Sequence, residues 1–453
     1  MVPAGEEERG RALAEALIRG RIGLLCVVIL AGLAARGAAG AALLAHREVL
    51  PNGIVLLVAE RPAVPIVAVR VLMRAGAVYD PADRGGLANL TGAVLTRGTA
   101  KRTGPELDTA IEFVGGSVEA GAGRDSLTVS MTTQKKDLTL GLDLVSEVVL
   151  TPTFPEAEVT RKVAEIQAAI KRSEEDPGTV AARALSRLVF EGHPYGRPVE
   201  GTRESVGRLT RDDVVKFYRE RARSDTAVIA VVGAVTVDEA RREILARFGS
   251  WARPADPPAT APMATAPSTT REETVKRELT QTTIMFGRQA ILQTDPDYFP
   301  LAVASYVLGG GSASRLYTRV REESGLAYSV YSWASPWRHG ASFAVSAQTR
   351  TAEAPKVIAM IREELARMGR EPVAERELGL AKQYLIGSFP LRLDTSGKVA
   401  DFLVAIEDRG LGLDYADRYK ERIGKVTAAD VQRVAAKYFI PAAFNLVVVG
   451  ETK

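Results

Sequence analysis

The sequence predicts an α+β protein made of two homologous domains. Each is expected to be a mixed, mainly antiparallel β-sheet with helices packed on one face, the product of an internal duplication. Three observations predict it. Strand-like segments arrive in runs while helix-like segments gather elsewhere, the pattern of helices laid on a sheet. "LTRDDVVKFYRERARSDTAVIAVVG" (209–233) and "VTAADVQRVAAKYFIPAAFNLVVVG" (426–450) superpose without a gap, so that Thr210 matches Thr427 and Gly233 matches Gly450. Such a repeat at a spacing of half the chain marks duplication. Between the two copies lies a proline-rich stretch that cannot build a core.

In chain order, residues 1–45 come first. Arg19 and Arg21 precede an apolar run from Ile22 to Ala35, and small residues follow, with cleavage expected among Ala38 to Ala45. This is the layout of a secretory signal peptide, and it implies export across the inner membrane to the periplasm. A retained membrane anchor is the alternative, although the run breaks at Arg36, short of the ~18 residues of a membrane span. Three glutamates, Glu6 to Glu8, are unusual ahead of such a run. The only cysteine, Cys26, lies inside the run, so the mature chain would hold no thiol, disulfide or cysteine nucleophile.

The first domain is expected over 46–250. "GIVLLVAE", "VPIVAVRVLMRAG" and "DSLTVSMTTQ" are rich in β-branched residues and read as strands. "PEAEVTRKVAEIQAAIKRSEEDP" carries apolar residues three and four apart and reads as a long helix. Residues 251–271, with Pro254, Pro257, Pro258, Pro262 and Pro267, form an extended, semi-stiff linker. The second domain occupies 272–453, where "EAPKVIAMIREELARM" is again a helix. In each repeat copy a threonine N-caps a helix, an acid sits in its first turn, and an apolar strand ends at glycine.

Composition narrows the function. The 453 residues are 46% hydrophobic and 25% charged with a net charge of +4, ordinary for a globular chain. No basic run carries interleaved aromatics, which argues against nucleic-acid binding. No Gly-x-Ser-x-Gly elbow occurs, and three histidines without ligand spacing (His46, His193, His339) make a serine triad or a self-contained metal site unconvincing.

Two stretches stand out. "GGLANLTGAVLTRGTAKRT" (85–103) runs from a double glycine into a short apolar-faced helix. "GGGSASRLYTRVREESGLAYSVYS" (309–332) starts with three glycines, then Ser312 or Ser314 as a helix cap. Leu316 and Val320 are its buried stripe, and Gly325 stops the helix as a C′ glycine. The strand that follows should alternate, placing Leu326, Tyr328 and Val330 on one face and Ala327, Ser329 and Tyr331 on the other. A phosphate loop is excluded, because Gly-x-x-x-x-Gly-Lys-Ser/Thr is absent. Read from the residues alone, this is a flexible hairpin end with Arg321 favourably placed at a helix C-terminus.

These motifs, with "LPNGIVLLVAE", "RAGAVYDPADRGGLANL", "VLTRGT" and "EGHPYGRPVEGT" in that order, resemble the pitrilysin/insulinase group of zinc peptidases. The resemblance spans the mature chain and is strongest to the small two-domain members that work in pairs, as in the mitochondrial processing peptidase. It implies that a helix should carry His-x-x-Glu-His, two zinc ligands and a general base. Here Asn89, Gly92 and Ala93 stand in those places, and none can serve. Glu165 resembles the family's last ligand, with Glu158 seven residues before it on the same helix face, but one carboxylate does not hold zinc. The resemblance further implies that Arg321 and Tyr328, seven residues apart, contact the substrate backbone and support the oxyanion. It assigns Gly309, Gly310, Gly311 and Ser312 to substrate binding through exposed backbone. The expectation is therefore a subunit without a metal of its own, with zinc housed in a homologous partner chain and peptides or unfolded segments as substrate. The alternative is an inactive structural or peptide-binding homologue.

Overall fold

The alternation of apolar residues in "VLLVAE", "IVAVRVLM" and "VIAVVG" sends successive side chains to opposite faces, and both faces are apolar, which calls for cover on each side. The computed structural model, which describes residues 44–450, supplies that cover. Its first sheet contains β1 (His46–Val49), β2 (Val55–Glu60), β3 (Ile66–Met73), β4 (Ser117–Ala122), β5 (Leu127–Gln134) and β6 (Val228–Gly233) in the order β1-β2-β6-β3-β5-β4. The second contains β7 (Glu272–Val275), β8 (Gln281–Gln289), β9 (Ala327–Pro336), β10 (Ala341–Arg350) and β11 (Asn445–Val449) in the order β7-β11-β8-β10-β9.

Apart from β1, the two sheets have the same strand order. In each, one pair is parallel, β2 with β6 and β7 with β11, and the other neighbours are antiparallel. The expected α+β duplication is therefore present in the topology. The repeat copies agree in detail. Thr210 caps helix Arg211–Arg221 in a reciprocal box with Asp213, and Thr427 caps Ala428–Tyr438 in the same way with Asp430. Each following strand ends at a glycine in extended positive-φ backbone, Gly233 at +142° and Gly450 at +137°. A Cβ on Gly233 would lie 2.1 Å from the Ile66 carbonyl oxygen, so no other residue fits there.

Helices from its own half cover one face of each sheet. In the first half, Leu56, Val58, Val69, Val71, Ile229 and Val231 join the core under Leu138–Leu150 and its neighbours. The opposite face receives a helix from the other half. Helix Ser396–Asp408 lies across β3 and β6, with Leu57, Ala68, Val228 and Ala230 sharing a core with Val399, Ala400 and Leu403. Reciprocally, helix Pro177–Val189 lies across β8 and β11, where Leu185 and Leu188 meet Met285, Val447 and Val449. Gly287 permits this approach, since a Cβ there would fall 2.7 Å from the Leu185 side chain. Ion pairs seal the exchange: Arg70 reaches Asp401, and Arg74 reaches Asp408 at 3.0 Å.

Residues 251–271 run without regular structure and are strapped to both halves. Pro262 O lies 3.0 Å from His193 Nε2, Ala264 donates to the His339 carbonyl at 2.8 Å, and Gln289 donates to Thr265 O at 2.8 Å. Of the proposed signal segment, 1–45, residues 1–43 lie outside the described residues, while Ala45 is buried in the core of the second half. Among the described residues no helix is long and apolar enough to cross a membrane.

Candidate functional site

The helix Leu87–Val94 is set by its approach segment. Asp80 accepts hydrogen bonds from Gly86 N at 2.9 Å and Ala88 N at 2.8 Å, covering amides that the helix start leaves free. Burial pushes this carboxyl up to about 7 against the pull of those amides. Gly86 makes the entry at φ +93°. The helix packs on β4 and beside the long helix Glu156–Ser173.

Asn89 and Ala93 are half-buried, and Gly92 is buried against the β4 backbone. A Cβ at Gly92 would stand 2.8 Å from Ala122 N and 2.9 Å from the Gly121 carbonyl carbon. Backbone cannot yield as a flexible side chain can, so the place of the general base is closed to any side chain. Glu165 is exposed and held by Lys162 at 2.8 Å and by Arg161, which also takes Glu158 at 2.6 Å. Hydrogen bonding from Lys162 holds the Glu165 carboxyl below the usual glutamate range. Among the described residues no group of three or more His, Cys, Asp or Glu is placed to hold a metal ion. These residues do not fit zinc. Restoring the motif by Asn89→His, Gly92→Glu and Ala93→His together should give a chain that still takes up no stoichiometric zinc by elemental analysis. It should also be less stable by roughly 1–3 kcal/mol from overpacking.

The segment 309–336 is organised differently. Gly309 ends helix Tyr298–Gly309 and is buried where a Cβ would meet Ser332 N at 2.6 Å, so packing on β9 demands glycine there. Gly310 and Gly311 sit half-buried beside Tyr306, and Ser312 is exposed. Ser314, not Ser312, stands just before the first helical residue, and its hydroxyl donates to Gly311 O at 2.5 Å. The helix then widens into a π-helix over Tyr317–Glu323, an irregularity common at functional sites. Gly325, at φ +61°, ends it by donating to the Arg321 carbonyl at 3.1 Å, as the sequence implies for a C′ glycine.

Three arginines project from this segment. Arg315 is held bidentately by Glu377 at 2.7 and 2.8 Å, and Arg319 by Glu363 at 2.9 Å and by the buried Glu364. These pairs pin the segment to helices Glu375–Ser388 and Ala354–Arg370. Arg321 meets no carboxylate among the described residues. It donates to the Tyr317 hydroxyl at 2.5 Å, with its guanidinium carbon 4.8 Å from the Tyr317 ring centre and 5.7 Å from that of Tyr328.

Tyr328 differs from the expected alternation. Ala327 pairs with Thr349 and Ser329 with Gln348, leaving Tyr328 as the extra residue of a β-bulge. The bulge breaks the period-two pattern, so Val330 is fully buried while Tyr328 is 73% exposed, and the two do not share a face. Re-aiming one side chain is what bulges do. Tyr331 and Trp333 are also exposed on β9, the edge strand of the sheet, and the Tyr331 ring lies 6.5 Å from that of Tyr317. Thus Arg321 and Tyr328 come together, with Tyr317 as a third member. Tyr317 was legible as an aromatic four residues before Arg321 on one helix, a spacing that lets side chains meet. The arrangement offers an unpaired cation and a phenol hydroxyl beside an open strand edge, donors suited to an extended peptide backbone.

His193 is not near this cluster of donors. Its Nδ1 accepts from Tyr195 N at 3.1 Å in the HPYG turn, and Tyr195 in turn bonds to Asp125 and receives His339 N at 3.0 Å. That turn therefore fastens the first half to the β9–β10 hairpin.

Comparison with known proteins gives consistent results. Residues 55–203 match the family described as Insulinase (Peptidase family M16), and residues 208–385 match the Peptidase M16 inactive domain. An uncharacterised zinc protease of Mycobacterium leprae is 31% identical over 77% of this chain and 79% of its own length. One of Streptomyces coelicolor is 28% identical over 86% of both chains. A crystal structure of a peptidase M16 inactive domain from Pseudomonas fluorescens superposes with a TM-score of 0.84 at 25% identity, covering 90% of this chain and 98% of that one.

Proposed function

Because the chain belongs to the M16, or insulinase, family of peptidases, we propose that it is the subunit of a two-chain zinc metallopeptidase that holds no metal itself. It supplies Arg321 and Tyr328 to peptide hydrolysis, and a homologous partner chain with an intact His-x-x-Glu-His supplies the zinc. One observation carries the reading. Of the three arginines in residues 315–321, only Arg321 lacks a carboxylate, and it is held by Tyr317 beside a tyrosine that a β-bulge turns outward.

In this reading the guanidinium and the Tyr328 hydroxyl donate to the substrate's backbone oxygens near the scissile bond and to the oxyanion as it forms. Donors fixed before the reaction need no reorganisation during it, and each commonly contributes on the order of 3 kcal/mol. The free edge of β9 and the Gly310–Ser312 backbone would align an extended peptide by strand addition, whereas Gly309, expected to join them, is buried against Ser332 and offers no exposed backbone. The shared strand order supports treating 46–250 and 272–453 as the two peptidase-like units, with 251–271 as the strap between them. The periplasm is the compartment that the amino-terminal segment suggests. The second reading, an inactive peptide-binding homologue, draws on the closed Gly92 position.

Reconstitution separates the two. The purified chain alone should bind no stoichiometric zinc and cleave no peptide. Mixed with its zinc-binding partner it should raise peptidase activity, and chelators should abolish the gain. Tight zinc in the isolated chain, or a partner fully active without it, would overturn the proposal.

A further inference from the structure

A second concentration of charge, unrelated to Arg321, lies where the two halves and the linker meet. Arg74, Tyr79, Arg221, Arg223, Arg338 and His339 line a cavity of about 60 Å³. Linker residues Pro258–Thr260 form another part of its wall. That volume exceeds what a single water needs but is too small for a nucleotide or a peptide side chain with its backbone.

Carboxylates account for three of the four guanidiniums. Asp408 takes Arg74 at 3.0 Å and Arg338 at 3.1 Å, while Asp225 and Asp256 take Arg223 at 2.9 and 2.8 Å. Arg221 has no carboxylate among the described residues. Its guanidinium carbon lies 4.8 Å from the Tyr79 ring centre, and its Nε is buried without a hydrogen-bond partner. His339, only 8% exposed, leaves its Nε2 buried and unpartnered as well. Buried polar groups are nearly always paired, so two nitrogens on residues of one cavity without a protein partner mark it as a place that receives a polar guest. Asp125, whose carboxylate accepts from Arg338 N and from the Tyr195 hydroxyl, also faces His339, so it is the guanidinium of Arg221, without a carboxylate of its own, that sets the sign of the guest.

We propose that this cavity binds a small inorganic oxyanion of the phosphate class, with Arg221 and His339 as its principal donors. Burial lowers the His339 imidazole toward the neutral form, which still donates from Nε2 in the matching tautomer. Arg221 contributes a planar fork that suits tetrahedral oxyanions. Arg74 and Arg221 belong to the first half, Arg338 and His339 to the second, and Pro258–Thr260 to the strap. An anion here therefore ties three segments, and, binding only the folded chain, it stabilises the fold by mass action.

The test is thermal unfolding of the full mature chain at constant ionic strength, with chloride replaced stepwise by inorganic phosphate. The expected result is a saturable rise in Tm of several degrees, lost in Arg221→Met, whose side chain breaks no ion pair. Calorimetric titration of the unaltered chain with phosphate should show one site, which keeps the test independent of how the variant folds. A nucleoside monophosphate at equal concentration should not reproduce the effect. No shift beyond chloride and no heat of binding, or an equal shift in Arg221→Met, would overturn the proposal.

Discussion

Changing Arg321→Ala in the reconstituted two-chain peptidase should lower kcat on the order of 100-fold, as removal of a preorganised oxyanion donor does. Tyr328→Phe should lower it by tenfold or more. Neither change should disturb the fold. Arg321 makes no ion pair and its one side-chain hydrogen bond goes to Tyr317, while Tyr328 is 73% exposed and sits in a bulge. A cation–π contact at so open a site contributes only about 0.5–1 kcal/mol. Thermal midpoints should therefore stay within about 2 °C of the parent while turnover falls. Steady-state kinetics on a peptide substrate, read beside the circular dichroism melt of each variant, makes the check. Full activity in both variants would reduce the pair to a surface decoration and leave the peptide-binding alternative standing.

The second large effect is on stability. Arg319→Ala should cost about 3–5 kcal/mol, the range for breaking a buried ion pair from one side. Glu364 is completely buried on helix Ala354–Arg370, and Arg319 is its chief partner. Arg367, 3.6 Å away and 44% exposed, is too distant and too wet to replace it. The double change Arg319→Met with Glu364→Leu should recover most of the loss, because removing both charges leaves none stranded. Turnover should fall in Arg319→Ala as well, since Arg319 pins the π-helix from which Arg321 projects two residues later. Urea midpoints of the two variants decide it: a loss below 1 kcal/mol in Arg319→Ala would show that the segment is anchored by other contacts.

Much of the architecture is legible in the residues. Thr210 and Thr427, each three residues before an aspartate, specify the same capping box, and the structure forms both. Gly233 and Gly450 end equivalent strands because only glycine fits that φ. The exchange of helices was less legible. Its signal lay in strands such as Val228–Gly233, apolar at every position, but periodicity does not say which helix covers the second face. The outward turn of Tyr328 had no local signal, because the bulge arises from register between β9 and β10.

By itself, then, the sequence determined the duplication, the caps, and the presence of an arginine and a tyrosine seven residues apart, while its resemblance to the insulinase family marked Asn89, Gly92 and Ala93 as standing where zinc-ligating residues would be. These depend on residue type and spacing along the chain. Only the tertiary structure decided that β4 closes over Gly92, that Arg315 and Arg319 are consumed by ion pairs while Arg321 is not, and that Arg221 and His339 share one cavity. Those depend on distances between segments far apart in the chain, which backbone register and helix packing set and local pattern does not encode.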